Sequence, residues 1–309
     1  MLFLEITLII AGGVFAVSLI IAFALLLDAT GKPRGGKLTV DHRRKRYGET
    51  MDDCEKQCLA KPWQDVYITA RDGVPLHALW LPASGADKSV ILVHGYRSSG
   101  ACDFCGITEY YAARGFNILM PDQRAHGESG GKRVGFGSLE RYDAAAWARL
   151  VAEKAQGDIY LHGISLGAVS VTMASCLELP QSVRGVVADC GFTSPMEVLT
   201  YQLKKKYHLP KFPVMPAVAL VGTLLLGRGF VTASSVEAVK KTTLPFLIIQ
   251  GEDDLAVPPY MAQSIYSACA SEKTLLLVPN ARHAASALEA PEKYAAALDE
   301  FYARVGGKQ

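Results

Sequence analysis

The sequence lacks the marks of several large protein classes. Its 32 Lys and Arg residues nearly balance 30 Asp and Glu residues, and the resulting net charge of +2 gives no support to nucleic acid binding. Its seven cysteines are odd in number and scattered, which is not typical of a disulfide framework. No internal repeat, long low-complexity segment or cofactor motif is visible. We therefore expect a single core and no cofactor.

Two cysteine pairs have spacings that other proteins use for chemistry. Cys102-x-x-Cys105 matches a redox or zinc motif, but it lies in a single helix predicted over residues 101–114 and lacks a matching second pair. A packed helix face is the favoured interpretation, and no metal site is predicted. Cys54 and Cys58 are four residues apart, and pairing between them stays open.

Residues 2–27 form a long apolar run that is interrupted only by Glu5 and Thr7. About twenty such residues suffice to cross a bilayer. A cleaved signal peptide is the alternative, but it typically opens with positive charge and closes on small residues, and this run does neither. The sequence therefore predicts a transmembrane anchor over residues 1–28.

The charges that follow the apolar run predict its orientation. From Asp28 to Arg46 there are seven basic residues and two aspartates, whereas no Lys or Arg precedes the run. The positive-inside rule then places the rest of the chain on the cytoplasmic side. We interpret residues 29–62 as a basic juxtamembrane linker that contacts anionic lipid.

Residues 163–167 (GISLG) are typical of a sharp turn between a strand and a helix that exposes a serine. Gly163 and Gly167 remove the Cβ atoms that would clash when the backbone folds around Ser165. A serine in this position is suited to attack on an acyl carbonyl. In isolation, the alternative that Ser165 merely caps the helix is equally good.

A serine nucleophile needs a base and an acid that orients the base. Asp254 and His283 each follow a predicted strand, and the chain order serine, acid, histidine is the one expected when all three lie at the carboxyl ends of strands. Asp189 also ends an apolar run and is the rival acid, although Asp254 is favoured. The other histidines compete poorly as the base because they lie in loops, a hairpin or a strand.

Acyl transfer also needs donors for the developing oxyanion. The N–H of Leu166 directly follows the nucleophile, at the start of a helix whose dipole favours negative charge. The second donor is expected after the strand at residues 89–93, where Gly95 allows the loop to turn and leaves the N–H of Tyr96 available.

From about residue 63 to residue 305 the chain resembles the α/β-hydrolase superfamily, in particular single-domain serine esterases and membrane-anchored acyl hydrolases. The resemblance is carried by the turns at residues 94–96 (HGY), 122–129 (DQRAHGES), 163–167 and 251–258 (GEDDLAVP) and by His283. It implies that Asp254, rather than Asp253, is the acid. Ala125 departs from the pattern, since relatives usually have glycine there.

The resemblance implies an α/β fold with a mostly parallel eight-stranded sheet and helices on both faces, over residues 63–309. Residues 192–243 do not fit the alternation of strand and helix and are predicted to be a small cap insert. Their apolar run at residues 217–226 has three open interpretations: the lining of an acyl pocket, ordinary cap core, or contact with the membrane surface.

Together these features predict a membrane-anchored serine hydrolase that cleaves carboxylic esters or thioesters through Ser165, His283 and Asp254. Lipid or acyl-protein esters are favoured over sugar or peptide substrates. Two alternatives stay open: an amidase or peptidase with the same triad, and a catalytically weak membrane-tethered binding module. No prediction of oligomeric state is made.

Overall fold

The computed structural model describes residues 1–32 and 43–306. Its eight strands form one sheet: β1 (Gln64–Thr69), β2 (Pro75–Leu81), β3 (Lys88–Val93), β4 (Asn117–Pro121), β5 (Asp158–Ile164), β6 (Val183–Asp189), β7 (Phe246–Gly251) and β8 (Lys273–Val278). The helices are α1 (Leu2–Thr30), α2 (Arg44–Leu59), α3 (Gly100–Asp103), α4 (Cys105–Ala113), α5 (Glu140–Lys154), α6 (Leu166–Ala174), α7 (Pro195–Tyr207), α8 (Lys211–Leu226), α9 (Arg228–Thr232), α10 (Ser235–Val239), α11 (Pro259–Ala268), α12 (Ser286–Glu289) and α13 (Pro291–Val305).

The strand order in the sheet is β1-β2-β4-β3-β5-β6-β7-β8. Strand β2 is antiparallel to both of its neighbours, and the other strand pairs are parallel. The prediction of a mostly parallel eight-stranded sheet is thus confirmed. Strand β3 lies between β4 and β5, so the connection from β4 crosses over β3 to reach β5, and the ends of β3 and β5 lie side by side with Val93 paired to Gly163.

Both faces of the sheet are covered, which explains why the central strands read as continuous apolar runs. Successive residues of β3 point to opposite faces: Val90 and Leu92 pack with Phe104 of the α3–α4 junction, whereas Ile91 and Val93 pack in the cluster that contains Trp147 of α5. The carboxyl ends of the strands are therefore the open edge at which side chains can meet a ligand.

The structure differs from the sequence prediction in two helical regions. The single helix expected at residues 101–114 is divided into α3 and α4, because Phe104 between them is not helical (φ −107°, ψ 13°). Within the segment interpreted as a linker, Arg44–Leu59 forms helix α2, which buries Met51 and Cys58 beside α4. Arg34 and Lys37, which contribute to the basic stretch, lie outside the described residues.

Helix α1 has two parts with different surroundings. Residues 2–17 are exposed throughout, whereas Ser18, Ala22, Leu26 and Thr30 are buried at intervals of four residues. This stripe faces α8 of the predicted cap region, where Leu26 lies next to Gly222. The last three turns of α1 thus pack on the rest of the molecule, and the first four to five do not.

Candidate active site

The turn at Ser165 has the strained backbone expected of an exposed nucleophile. Strand β5 ends at Ile164, α6 begins at Leu166, and Ser165 between them has φ 56° and ψ −114°. This conformation is costly for a residue with a side chain and must be held by its surroundings. A Cβ on Gly167 would lie 1.8 Å from the carbonyl oxygen of Val93, so only glycine permits this close approach of β3.

The three residues predicted as a triad lie in one hydrogen-bonded line. Nε2 of His283 is 2.9 Å from Oγ of Ser165, and its Nδ1 is 2.7 Å from Oδ2 of Asp254. Asp254 follows β7 and His283 follows β8, so the neighbouring ends of parallel strands bring both residues to the serine. The predicted proximity is present in full.

The surroundings of Asp254 keep it ionised. Burial alone would raise the pKa of this carboxyl, but the charge and hydrogen bond of His283 and the N–H groups of Val257 and Ala256 lower it overall. Both N–H groups donate to Oδ1 at 2.8 Å, and the Gln250 amide donates to Oδ2 at 3.1 Å. A carboxylate held in this way accepts a hydrogen bond from the N–H at Nδ1 of His283. Nε2 is then unprotonated and can accept a hydrogen bond from the Ser165 hydroxyl.

The rival acid, Asp189, has other partners. Its carboxyl accepts hydrogen bonds from the hydroxyls of Tyr294 at 3.2 Å and Ser286 at 3.4 Å. Burial raises the pKa of Asp189 to about 7, against the opposing effect of the Tyr294 hydrogen bond. The backbone carbonyl of Asp189 accepts the N–H of Ser165 at 2.8 Å, so this residue supports the turn rather than the imidazole.

One group of side chains has the proximity needed for a metal ion, and it overlaps the triad. Ligand atoms of Cys190, Asp254 and His283 lie within 4.8 Å of one another. Burial raises the pKa of the Cys190 thiol well above its usual value. A thiol held protonated is a poor metal ligand, and both other members are already engaged in hydrogen bonds, so the group does not fit a metal centre.

The two expected oxyanion donors lie in adjacent turns. Within residues 1–32 and 43–306, neither the N–H of Tyr96 nor that of Leu166 donates a hydrogen bond to the protein. Gly95 brings its loop against Ser165, since a Cβ there would lie 3.3 Å from Cβ of Ser165. Two N–H groups without protein partners next to a serine hydroxyl are what an oxyanion site requires.

Comparison with known proteins gives a family match and a similar bacterial protein. A sequence model of the alpha/beta hydrolase family matches residues 90–297. The chain is 30% identical to the Bacillus subtilis (strain 168) protein YqkD over 216 residues, which are 69% of this chain and 70% of that protein.

The chain belongs to the alpha/beta hydrolase family. It is 24% identical to a monoacylglycerol lipase of Mycolicibacterium smegmatis over 241 residues, 66% of this chain and 83% of the lipase. The structure of the Pyrococcus furiosus esterase Pf2001 superposes with a TM-score of 0.66 and 25% identity, over 81% of this chain and 94% of the esterase. These relatives support ester hydrolysis as the general activity of this alpha/beta hydrolase.

The backbone at Ala125 explains why glycine is the expected residue at this position. Ala125 has φ 61°, a left-handed conformation that glycine adopts without cost. The following residue, His126, accepts the N–H of Arg97 at Nε2 (2.9 Å), and burial lowers its pKa to about 4. A neutral His126 therefore helps to hold the loop that contains Tyr96.

Sequence reasoning missed a buried ion pair behind the oxyanion loop. Oδ2 of Asp103 accepts the N–H of Gly95 at 2.6 Å, and its Oδ1 lies 2.7 Å from the Arg43 guanidinium. Arg43 also donates to the carbonyl of Ala284, the residue after His283, at 3.1 Å. In the sequence, Arg43 is one of several consecutive basic residues, and nothing local distinguishes it from a solvated charge.

A cavity of about 440 Å³ opens on Ser165 and His283. Its walls are mainly apolar and come from α1, α7, α8 and the loops at residues 95–98 and 136. Pockets of this size and character typically hold small organic ligands. The hydrolase thus has room for an apolar substituent next to its candidate nucleophile.

Proposed function

We propose that this chain is a serine esterase that acts on carboxylic esters or thioesters. The observation that carries the proposal is His283, whose two ring nitrogens join Ser165 and Asp254 at 2.9 and 2.7 Å. Ser165 Oγ attacks the acyl carbonyl while His283 Nε2 takes its proton and then delivers it to the leaving alkoxide or thiolate. A water, deprotonated by His283, attacks the acyl-enzyme and releases the acid.

The N–H groups of Tyr96 and Leu166 stabilise the oxyanion in both steps of this proposal. Tyr96 lies in the loop between β3 and α3. Leu166 begins α6, so its N–H lies at the positive end of that helix. Preorganised donors of this kind contribute several kcal/mol to transition-state stabilisation, about 3 kcal/mol for a single donor. Gly95, Gly163 and Gly167 serve the site by allowing the close approach of the three backbone segments.

The proposal includes a membrane anchor formed by residues 1–28. Helix α1 is the one helix in the described residues long and apolar enough to cross a membrane, with a mean hydropathy of 2.7 over its most apolar window. Its exposed residues 2–17 span about 24 Å, close to the thickness of a hydrocarbon core. Retention of the helix, rather than cleavage as a signal peptide, is favoured by Ala22 and Leu26, which are almost completely buried against the cap.

On this proposal, residues 29–62 connect the anchor to a catalytic domain of residues 63–309 on the cytoplasmic side. The basic residues after α1 support that orientation. The cap corresponds to residues 192–243, of which α7 and α8 line the cavity, whereas α10 packs on α6 and α11.

The proposed ester preference is tested with the full-length chain in detergent micelles, using p-nitrophenyl esters and matched p-nitroanilides over a range of acyl lengths. We expect a much higher kcat/KM for the esters than for the anilides at equal acyl length. Faster turnover of the anilides would identify an amidase instead. A protein that turns over neither series would be a binding module.

We expect kcat/KM for esters to fall on acidification with a midpoint above pH 6.5. Burial would lower the pKa of His283, but the charge and hydrogen bond of Asp254 raise it above its ordinary value of 6.5. Because the base must be neutral, activity is complete above the raised pKa and falls about tenfold per pH unit below it. A pH–rate profile with a short-chain ester checks this, and a midpoint clearly below 6.5 would contradict it.

Replacement of Arg43 by methionine is expected to lower kcat about 100-fold with little change in KM. The change leaves Asp103 buried without its cation and releases both the Gly95 turn and the carbonyl of Ala284. These segments position the oxyanion donor Tyr96 and the base His283. The substitution should therefore reduce transition-state stabilisation rather than substrate binding. Steady-state kinetics on a soluble short ester provide the measurement.

Arg44→Met is the matched control, because Arg44 pairs with Asp52 and Glu55 at the surface of α2. It should keep the wild-type kcat. Arg43→Lys should recover part of the activity by restoring a cation next to Asp103. Equal kinetics for the two methionine variants would show that Arg43 does not position the site.

A further inference from the structure

The N-terminal helix forms part of the cavity next to the candidate nucleophile. Leu25, Leu26 and Ala29 of α1 line the same cavity as Ser165 and His283. Leu25 and Ala29 are half-buried and one helical turn apart, so both lie on the side of α1 that faces the cavity. A helix that served only as a tether would have no reason to supply this wall.

The end of α1 is fastened to the catalytic domain by polar contacts. The carbonyl of Asp28 accepts a hydrogen bond from the side chain of Arg97 at 2.5 Å. Arg97 directly follows the proposed oxyanion donor Tyr96 in the chain. The Thr30 carbonyl accepts the N–H of Val134 at 2.7 Å. Together with the buried stripe against α8, these contacts fix the last turns of α1 relative to the active site.

The opposite wall of the cavity has the chemistry of an acyl-chain site. Five apolar side chains of α7 and α8 line it: Val198, Leu199, Leu203, Met215 and Val218. The polar lining residues lie mainly around Ser165 and His283 and at an exposed rim that includes Asp28 and Lys206, and α7 adds Gln202; others are Arg43, Arg97, Ser98 and Asp103. A hydrocarbon chain between α1 and the cap would therefore be desolvated along its length, with its carbonyl at the serine.

The rim of the cavity lies close to where α1 would leave the bilayer. If the exposed residues 2–17 occupy the hydrocarbon core, Asp28 lies about 16 Å beyond it along the helix. Helix α8, which packs along α1, exposes Phe212, Leu220 and Leu224. Lys204, Lys205 and Lys206 are exposed at the end of α7, so an apolar surface and a basic surface adjoin α1 as in proteins that rest on anionic membranes.

We propose that the last turns of α1 are one wall of an acyl-chain pocket, and that the enzyme takes long-chain acyl esters from the bilayer that holds its own helix. This inference rests on the proposed esterase function and adds the substrate class and its source. It also assigns a second role to α1, which both anchors the enzyme and binds the substrate.

The test compares Ala29→Trp with Ala24→Trp in the full-length protein. Ala29 lines the cavity, whereas Ala24 is exposed on the same helix and does not line it. Wild type is assayed in phosphatidylcholine vesicles with p-nitrophenyl butyrate and p-nitrophenyl palmitate, and labelling by a fluorophosphonate probe reports an intact serine in each variant.

We expect wild type and Ala24→Trp to prefer the palmitate ester, because each methylene that is buried in a fitted pocket raises kcat/KM by about fourfold. In Ala29→Trp the ratio of kcat/KM on palmitate to kcat/KM on butyrate should fall at least tenfold, while labelling shows that the serine is intact. Two variants with the same chain-length profile would overturn the inference and leave the esterase function standing. An absence of butyrate hydrolysis in the wild type would instead refute the esterase function itself.

The source of the substrate is tested by a third arm with an S-palmitoyl peptide in solution. Faster turnover of the soluble peptide than of the vesicle-borne ester would overturn delivery from the bilayer. A preference for the vesicle-borne ester supports it.

Discussion

Replacement of Ser165 by alanine is expected to lower ester hydrolysis about 10⁶-fold and to abolish labelling by a fluorophosphonate probe. The loss is this large because Oγ of Ser165 is the atom that forms the acyl-enzyme in the proposed mechanism, and neither His283 nor the oxyanion donors can replace it. The fold should persist, since the side chain makes one hydrogen bond, to His283, and the N–H that bonds to Asp189 is kept.

The control for this prediction is Ser264→Ala. Ser264 is exposed on α11, and among the described residues its hydroxyl bonds only to a carbonyl of its own helix. Labelling intensity and kcat of this variant should match those of the wild type, while thermal unfolding shows both variants folded. Full labelling of Ser165→Ala would place the nucleophile elsewhere.

The fold is readable from the sequence because its main determinants are local. Central parallel strands buried on both faces must be apolar throughout, and runs such as residues 246–250 show this directly. The turn at Ser165 is equally local, because its geometry requires Gly163 and Gly167 within four residues of each other. The chain order of serine, acid and histidine then needs only the strand assignments.

Other parts of the site depend on tertiary contacts that leave no local pattern. Arg43 and Asp103 are sixty residues apart, and each looks like an ordinary surface charge until both are buried together. The break at Phe104 is a similar case, since residues 101–114 have a helical composition and the ring is completely buried among sheet residues. Tertiary packing overrides helix propensity there.

The position of α1 could not be read from its composition either. An apolar helix that ends in a cavity wall and one that ends in solvent have the same hydropathy. What distinguishes them is the stripe of Ser18, Ala22, Leu26 and Thr30, whose small or apolar side chains fit against α8. In a run that is apolar on all sides, no periodicity singles out this stripe.

The second large effect is expected for the acid of the proposed triad. Asp254→Asn should lower kcat about 10⁴-fold, because an amide no longer fixes the His283 tautomer or stabilises the imidazolium. Loss of the carboxylate also removes the interaction that raises the pKa of His283. The residual activity should therefore have its acidic midpoint shifted to lower pH.

Asp189→Asn is the matched control, since both aspartates are buried at adjacent strand ends and the substitution is the same. Burial raises the pKa of Asp189 to about 7, so a neutral amide resembles a form that the carboxyl already adopts near neutral pH. Its partners, Tyr294 and Ser286, can donate to an amide oxygen as well. This variant should lose only a small fraction of kcat, and its pH midpoint should fall less than that of Asp254→Asn, because Asp189 raises the pKa of His283 less than Asp254 does. If Asp189→Asn were instead the more damaging of the two, Asp189 rather than Asp254 would be the acid that orients His283.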